Sequence, residues 1–204
     1  GADELFGSYL PHRLAAPLAL ARRELAAAGR LLPGDERFGA WKDKVGELEQ
    51  LVALGDEASS RMAQYLRDEP AKSALYSGRM AELVAGVNSE TLVRNELAEC
   101  DTSDPLNRML FLDFETLLPD QVLAFVDRLS MAHSVEVRPP FLDHRLVEDA
   151  AQIAGSFKMP AGRSKHILKE AVRDLLPDSL IDRPKEGFIL PLSQWLMGPL
   201  WGFA

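Results

Sequence analysis

Cysteine is nearly absent. Cys100 is the only one among 204 residues, which excludes an internal disulfide and a cysteine-based zinc site and makes a reducing compartment, the cytoplasm, the expectation. Long apolar runs are missing too: no stretch of about 18 apolar residues is present to cross a bilayer. The opening Gly1-Ala2-Asp3-Glu4 is acidic where a secretory signal would be basic and then apolar. A soluble protein with no membrane partner is expected. Positive charge is short, with 23 Lys and Arg against 31 Asp and Glu for a net charge of −8. Such a balance repels a phosphate backbone, and no local basic patch offsets it, so nucleic acid is not an expected partner. Period-two alternation of β-branched residues is almost missing, as are internal repeats and low-complexity tracts. The four histidines, His12, His133, His144 and His166, lack metal-ligand spacing.

What remains is 47% apolar and 26% charged, an ordinary globular composition long enough for one core. Spacings of three and four dominate. Phe38, Trp41, Val45, Leu48 and Val52 fall on one helical face behind Asp35 as N-cap, and similar stripes pass through Leu14, Leu18, Ala21 and Leu25, with Pro17 near the helix start. Two more run through Met62, Tyr65 and Leu66, and through Met80, Leu83 and Val84. Asp104-Pro105 makes an N-cap and N1 pair for a helix carrying Leu106, Met109, Leu110, Phe114 and Leu117; Pro119-Asp120 is expected to start another, over 120–133, with Leu123, Val126, Leu129 and Ala132 inward. A further helix begins at Asp143 with Leu146, Val147, Ala150 and Ala154 on one face. Ser134-Val135-Glu136-Val137 alternates but is stopped by Arg138-Pro139-Pro140, so it reads as an extended connector. The expected class is all-α, a multi-helix bundle in a single domain over 1–204. A polar loop near 99–104 divides variable front helices from a back richer in motifs.

Three places have residues suited to chemistry. Gly162-Arg163-Ser164-Lys165-His166 precedes Ile167, Leu168, Ala171, Val172 and Leu175 at helical spacing, which predicts a helix with Ser164 as N-cap and Lys165 at N1. A cation at N1 is disfavoured by roughly 0.3 to 1 kcal/mol. Free amides there, with Lys165 and Arg163, make a site for phosphate; the alternative is a pair of solvated charges on an exposed helix end, which spacing alone favours. A second basic loop, Asp182-Arg183-Pro184-Lys185-Glu186-Gly187-Phe188, is suited to fold over a polyanion through Lys185, or is an ordinary charged turn. At the front, Asp3 and Glu4 stand beside glycines, Gly1 among them, that let the backbone approach a ligand. Hard oxygen donors of this kind suit Mg²⁺ shared with phosphates, and acids in a helix first turn are the plainer alternative. Glu136, Arg138, Asp127 and Arg128 are assigned a structural role, as a partly buried charge network around the Pro139-Pro140 corner.

Gly1-Ala2-Asp3-Glu4-Leu5-Phe6-Gly7-Ser8-Tyr9 resembles the G-A-D-E-L-F-G-G-Y motif of the glutamine-dependent asparagine synthetase family, with Ser8 in place of its second glycine. The run from Asp127 to Asp143 resembles D-R-x-S-M-A-H-S-x-E-V-R-V-P-F-L-D, with Pro139 where valine is usual. Lys165-His166-Ile167-Leu168-Lys169-Glu170, Leu176-Pro177 and Arg183-Pro184-Lys185-Glu186-Gly187-Phe188 then resemble K-x-I-L-R-E, L-P and R-P-K-x-G-F in the family's order. The likeness is close over roughly 1–13 and 104–200; the helices of 35–98 share only helical character with the family.

The resemblance implies the helical part of an ATP-pyrophosphatase domain. It also implies a glutaminase domain and an S-G-G-x-D-S phosphate loop, which these 204 residues do not contain, so the chain is expected to be a piece of a longer enzyme, inactive alone. The implied reaction activates the side-chain carboxylate of aspartate with ATP and then forms asparagine with ammonia from glutamine. In that scheme Lys165 is catalytic at the α-phosphate, Asp3 is a Mg²⁺ ligand, and Gly1, Arg163 and Lys185 serve ATP or pyrophosphate; a homodimer is compatible with it. Two alternatives stand beside it: a β-lactam or macrolactam synthetase-like ligase acting on another carboxylate, and a non-catalytic helical interaction module.

Overall fold

Helix is the only regular structure among the described residues, which in this computed structural model are 1–31, 57–62, 69–184 and 191–203. The chain is all-α, as its apolar spacing requires. The expected helix behind Asp35, Tyr65 and Leu66 of the next stripe, and the 185–188 part of the second basic loop, Lys185 included, lie outside the described residues. By packing, the chain divides into Gly1–Glu170 and Ala171–Ala204.

In the larger unit the α-helices are α1 (Ala2–Phe6), α2 (Leu10–Leu31), α3 (Glu57–Met62), α4 (Glu69–Ser73), α5 (Gly78–Leu83), α6 (Ser89–Ala98), α7 (Pro105–Leu112), α8 (Ala124–Met131), α9 (His144–Gln152), α10 (Gly155–Lys158) and α11 (His166–Ala171). α7 is the centre: it packs on α1, α2, α6 and α10, and α3 packs on α6. Its start is set by chemistry visible in the sequence, for Asp104 Oδ1 accepts from the amides of Leu106 (2.9 Å) and Asn107 (3.0 Å), and Pro105 occupies the first turn. The other carboxylate oxygen accepts from Gly155 N at 2.8 Å, so one cap serves two helices.

The expected break at Pro119 does not occur. Asp113–Leu123 is a π-helix that joins α7 to α8 without interruption. In an α-helix the Pro119 ring would strike the carbonyl four residues back; the wider π coil moves that carbonyl aside. Pro17 likewise lies inside α2 and not near its start, and there it removes one backbone hydrogen bond.

Among the described residues, three apolar clusters make the core. Ala58, Met62, Val93, Leu97 and Leu112 join α3, α6 and α7; Leu106, Leu110 and Met159 lie under α10; Leu5, Phe6 and Ala150 gather Phe114, Phe141, Val147, Ile167 and Leu168 around α1. Phe6 and Phe141 meet edge to face at 6.4 Å, worth about 0.5–1.5 kcal/mol beyond burial. Two stripes expected inside are partly outside: Met80 and Leu83 on α5, and Leu129 on α8, are exposed, while Val84, Leu123 and Val126 are half-buried. Spacing shows that a helix has an apolar face, and the described residues do not fully cover these two. Ser134, expected in an extended connector, instead turns in left-handed backbone with φ at +57°, and 135–139 follow without regular structure to a short 3₁₀ turn at Pro140–Leu142.

In the smaller unit α12 (Asp178–Ile181), α13 (Leu192–Leu196) and a 3₁₀ turn at Trp201–Phe203 are described. Arg173 bridges Asp178 (2.9 Å) and Asp182 (3.1 Å) across the Leu176-Pro177 stop.

A Cβ on Gly155 would lie 2.5 Å from Asp104 Oδ1 and 2.8 Å from Leu106 Cβ. Gly155→Ala is therefore expected to push Asp104 off the α7 cap and cost about 1–3 kcal/mol of stability by chemical denaturation. An unchanged midpoint would show that this cap does not tie α7 to α10.

Candidate functional site

α1 places Asp3 and Glu4 in its first turn and ends at Gly7, whose φ of +78° glycine adopts without strain. The two acids have opposite fates. Glu4 is buried, reaches back to within 2.7 Å of the Gly1 nitrogen and accepts from the Tyr9 hydroxyl at 2.8 Å, closing the helix start from one side only. Burial pushes its pKa up, and the hydrogen bond donated by Tyr9 works against that. Tyr9 answers in kind, its hydroxyl raised by burial and by the Glu4 carboxylate. Asp3 points elsewhere: its Oδ1 lies 2.9 Å from Lys165 Nζ, with both side chains about a quarter exposed (25% and 24%).

The segment carrying Lys165 departs from the expected helix start. α11 begins at His166, so Ser164 is not its cap and Lys165 is not at N1. Lys165 takes the capping position, its carbonyl accepting from Lys169 N at 2.9 Å, with φ at +53°. A left-handed backbone costs a lysine roughly 1–2 kcal/mol. The reason lies across the fold: Lys165 N donates to the Gly7 carbonyl at 3.0 Å, so the amide that was to face a phosphate is spent on the α1 turn. The site therefore rests on side chains, not on the N-terminus of a six-residue helix.

The other sequence candidates scatter. Arg163 is exposed, its amide given to the Pro160 carbonyl. Gly1 makes its close approach to protein, where a Cβ would lie 3.0 Å from Phe141 Cβ. Glu136 and Arg138 pair at 2.5 Å but stay 65% and 84% exposed, so the charge network expected at the proline corner is not a buried one, and such a pair contributes at most about 1 kcal/mol. Asp127 and Arg128 are exposed on α8.

Residues that motif reasoning passed over are the more buried ones. His12, at the head of α2, directs Nε2 to Asp113 Oδ2 at 2.8 Å while Nδ1 faces the amides of Ser8 (3.1 Å) and Tyr9 (3.4 Å). Arg61 pairs with the same Asp113. Lys158 is 2% exposed and donates to Asn107 Oδ1 at 2.9 Å. Burial pulls its ammonium down to about 8, against the opposing charge of Asp104. Lys158, Glu4, Asn107, Phe114 and Val147 are among the walls of a cleft of about 260 Å³. No sequence signal marks these roles, because each depends on partners distant in the chain.

Chemically, the pairing of Asp3 with Lys165 joins a hard oxygen donor to a fixed cation. Mg²⁺ is commonly held by one or two carboxylates together with substrate phosphates, and Asp3 fits that mode. No group of three or more metal-ligating side chains is present among the described residues, so an all-protein cage is not available there. No described helix is long and apolar enough to cross a membrane.

The sequence profile of a family described as asparagine synthase matches residues 1–204. A putative glutamine-hydrolysing asparagine synthetase of Mycobacterium tuberculosis is 28% identical over the full chain, which covers 31% of that protein. Asparagine synthetase 3 of Bacillus subtilis is 40% identical over 53% of this chain and 18% of its own length, and an amidase, chry2, of Gibberella zeae is 34% identical over 47% and 15%. The chain thus spans less than a third of the length of these relatives. No solved structure matches.

Because the Lys158 pKa is lowered to about 8 on folding, the unfolded chain binds more protons than the folded one above that pH, up to the ordinary lysine range. Stability should therefore rise as the pH increases from about 8 towards 10. Thermal melts of the unsubstituted chain and of Lys158→Met should differ in this slope, the variant lacking the Lys158 contribution. Parallel profiles would mean that burial does not strain this ammonium.

Proposed function

This chain belongs to the asparagine synthase family, and on that premise we propose that it is the helical portion of an amide-forming ligase that activates a carboxylic acid with ATP. The observation that carries the reading is the approach of Asp3 and Lys165, from opposite ends of the larger unit, to 2.9 Å. One is the carboxylate and the other the ammonium that a metal-bound polyphosphate requires.

In the proposed reaction an oxygen of the aspartate side chain attacks the α-phosphorus of ATP, the bond to the bridging oxygen breaks, and pyrophosphate leaves. Ammonia released from glutamine then attacks the activated carbonyl carbon, the nitrogen gives up a proton to solvent, and the carbon–oxygen bond breaks so that AMP departs with its electron pair. Lys165 offers fixed positive charge to the α-phosphate as negative charge builds there. Asp3 would hold Mg²⁺, whose charge would offset that of the pyrophosphate. Arg163 and, outside the described residues, Lys185 are proposed as further contacts for pyrophosphate. The glutaminase and the phosphate-cradling loop belong to other portions of the polypeptide, so the 204 residues alone should show no measurable MgATP binding by calorimetry. Tight binding by the isolated chain would contradict this.

In the intact protein Lys165→Ala should lower aspartate-dependent ATP–pyrophosphate exchange on the order of 10²–10³-fold, the loss typical of one charge-stabilising group, with glutamine hydrolysis kept. Exchange at the normal rate would remove Lys165 from the chemistry and favour a helical module without catalysis. The likeness to an amidase as well as to asparagine synthetases makes the acid itself worth testing. AMP release with other carboxylic acids and not with aspartate would assign a different ligase, of the β-lactam or macrolactam-forming kind.

A further inference from the structure

The His12, Asp113 and Arg61 cluster is charged and polar in a place that apolar packing would fill. The side chains of His12 and Asp113 are fully buried, and that of Arg61 nearly so. Asp113 sits next to Leu112, which is completely buried in the core. Desolvating such groups offsets most of their mutual attraction, and well-packed apolar residues commonly give equal stability. What an apolar replacement lacks is direction. His12 has it at both ring nitrogens: Nδ1 accepts from the Ser8 amide, which assigns the ring proton to Nε2, and Nε2 then donates to Asp113. Arg61 holds the carboxylate from its other oxygen.

The amides that His12 accepts belong to the turn immediately after Gly7. The Gly7 carbonyl, which shares its peptide plane with Ser8 N, is the group that accepts the Lys165 amide. Rotation of that plane would move both the Ser8 N–H and the Gly7 carbonyl, since they belong to the same peptide unit. We propose that His12 is a positioning residue for the Asp3–Lys165 pair, fixing the Gly7–Ser8 peptide through Nδ1 while Asp113 and Arg61 fix the ring. The catalytic consequence rests on the function proposed above; the geometric one does not.

Two substitutions separate positioning from bulk stability. In His12→Asn the side-chain oxygen reaches only the place of Nδ1, so the turn amides keep an acceptor and Asp113 loses its donor. In His12→Gln the amide reaches the place of Nε2, so Asp113 keeps its donor and the turn loses its acceptor. Positioning predicts that function and stability come apart: His12→Asn melts lower yet retains most exchange activity. His12→Gln melts closer to the unsubstituted protein yet loses kcat on the order of 10²-fold at similar KM for ATP, as expected for a misplaced group.

A second readout needs no catalysis. In the nucleotide-free intact protein, labelling of Lys165 by acetic anhydride, measured against Lys169 by mass spectrometry, should rise about twofold to fivefold in His12→Gln, the span that weakening a partly exposed ion pair allows. It should stay unchanged in His12→Asn. Labelling and exchange that simply follow the melting temperature in both variants, or that change in neither, would overturn the proposal. If His12→Asn does not fold, His12→Gln decides alone, since a normal melt with unchanged Lys165 labelling is sufficient to reject it. Normal exchange in Lys165→Ala would sink the functional reading, while the labelling would still decide the role of His12.

Discussion

The hydrogen bond from the Lys165 amide to the Gly7 carbonyl is the contact on which the site depends. It joins the first turn of the chain to the last helix of the larger unit, and it holds two backbones in left-handed φ, a glycine that adopts it without strain and a lysine that does not. Both side chains of the site follow from it. With the amide placed there, the Lys165 stem leads towards Asp3, and the two charges meet at the edge of α1. A helix-terminus phosphate site of the simple kind is given up in exchange, because the amide that would have served it is already bonded.

The rest of the larger unit serves to keep that turn in place. Leu5 and Phe6 anchor α1 from below, and Ile167 and Leu168 bring α11 to the same cluster, so one apolar core carries both partners of the pair. Polar groups then set orientation where apolar packing leaves it loose. Glu4 closes the start of α1 against Gly1 and Tyr9, and Asp104 caps α7 while receiving Gly155. The two acids of the front motif thus divide their work: the buried one shapes the turn and the half-buried one faces Lys165.

The long π-helix and the exposed faces of α5 and α8 show where local rules give way. Pro119 argues for a break only if the alternative is an α-helix; a wider coil accommodates the ring and carries the chain on to α8. The stripes at Met80 and Leu83 and at Leu129 were legible as amphipathic helix, and helix they are. An apolar face does not say what lies against it.

Composition and periodicity by themselves determined that the chain is helical, because burying residues three and four apart on one side requires that turn, and side-chain caps such as Asp104 and Asp143 mark their helix starts wherever the chain goes. Motif order by itself identified the family and picked out Asp3 and Lys165. Only the tertiary structure decided that these two meet, that Glu4 turns inward, and that Lys165 caps its helix instead of opening it. It also disclosed His12, Asp113, Arg61 and Lys158, whose neighbours in sequence carry no sign of them. The reason is common to all of these: a hydrogen bond or ion pair between distant residues is a property of the path the chain takes between them, and local propensity carries no record of that path.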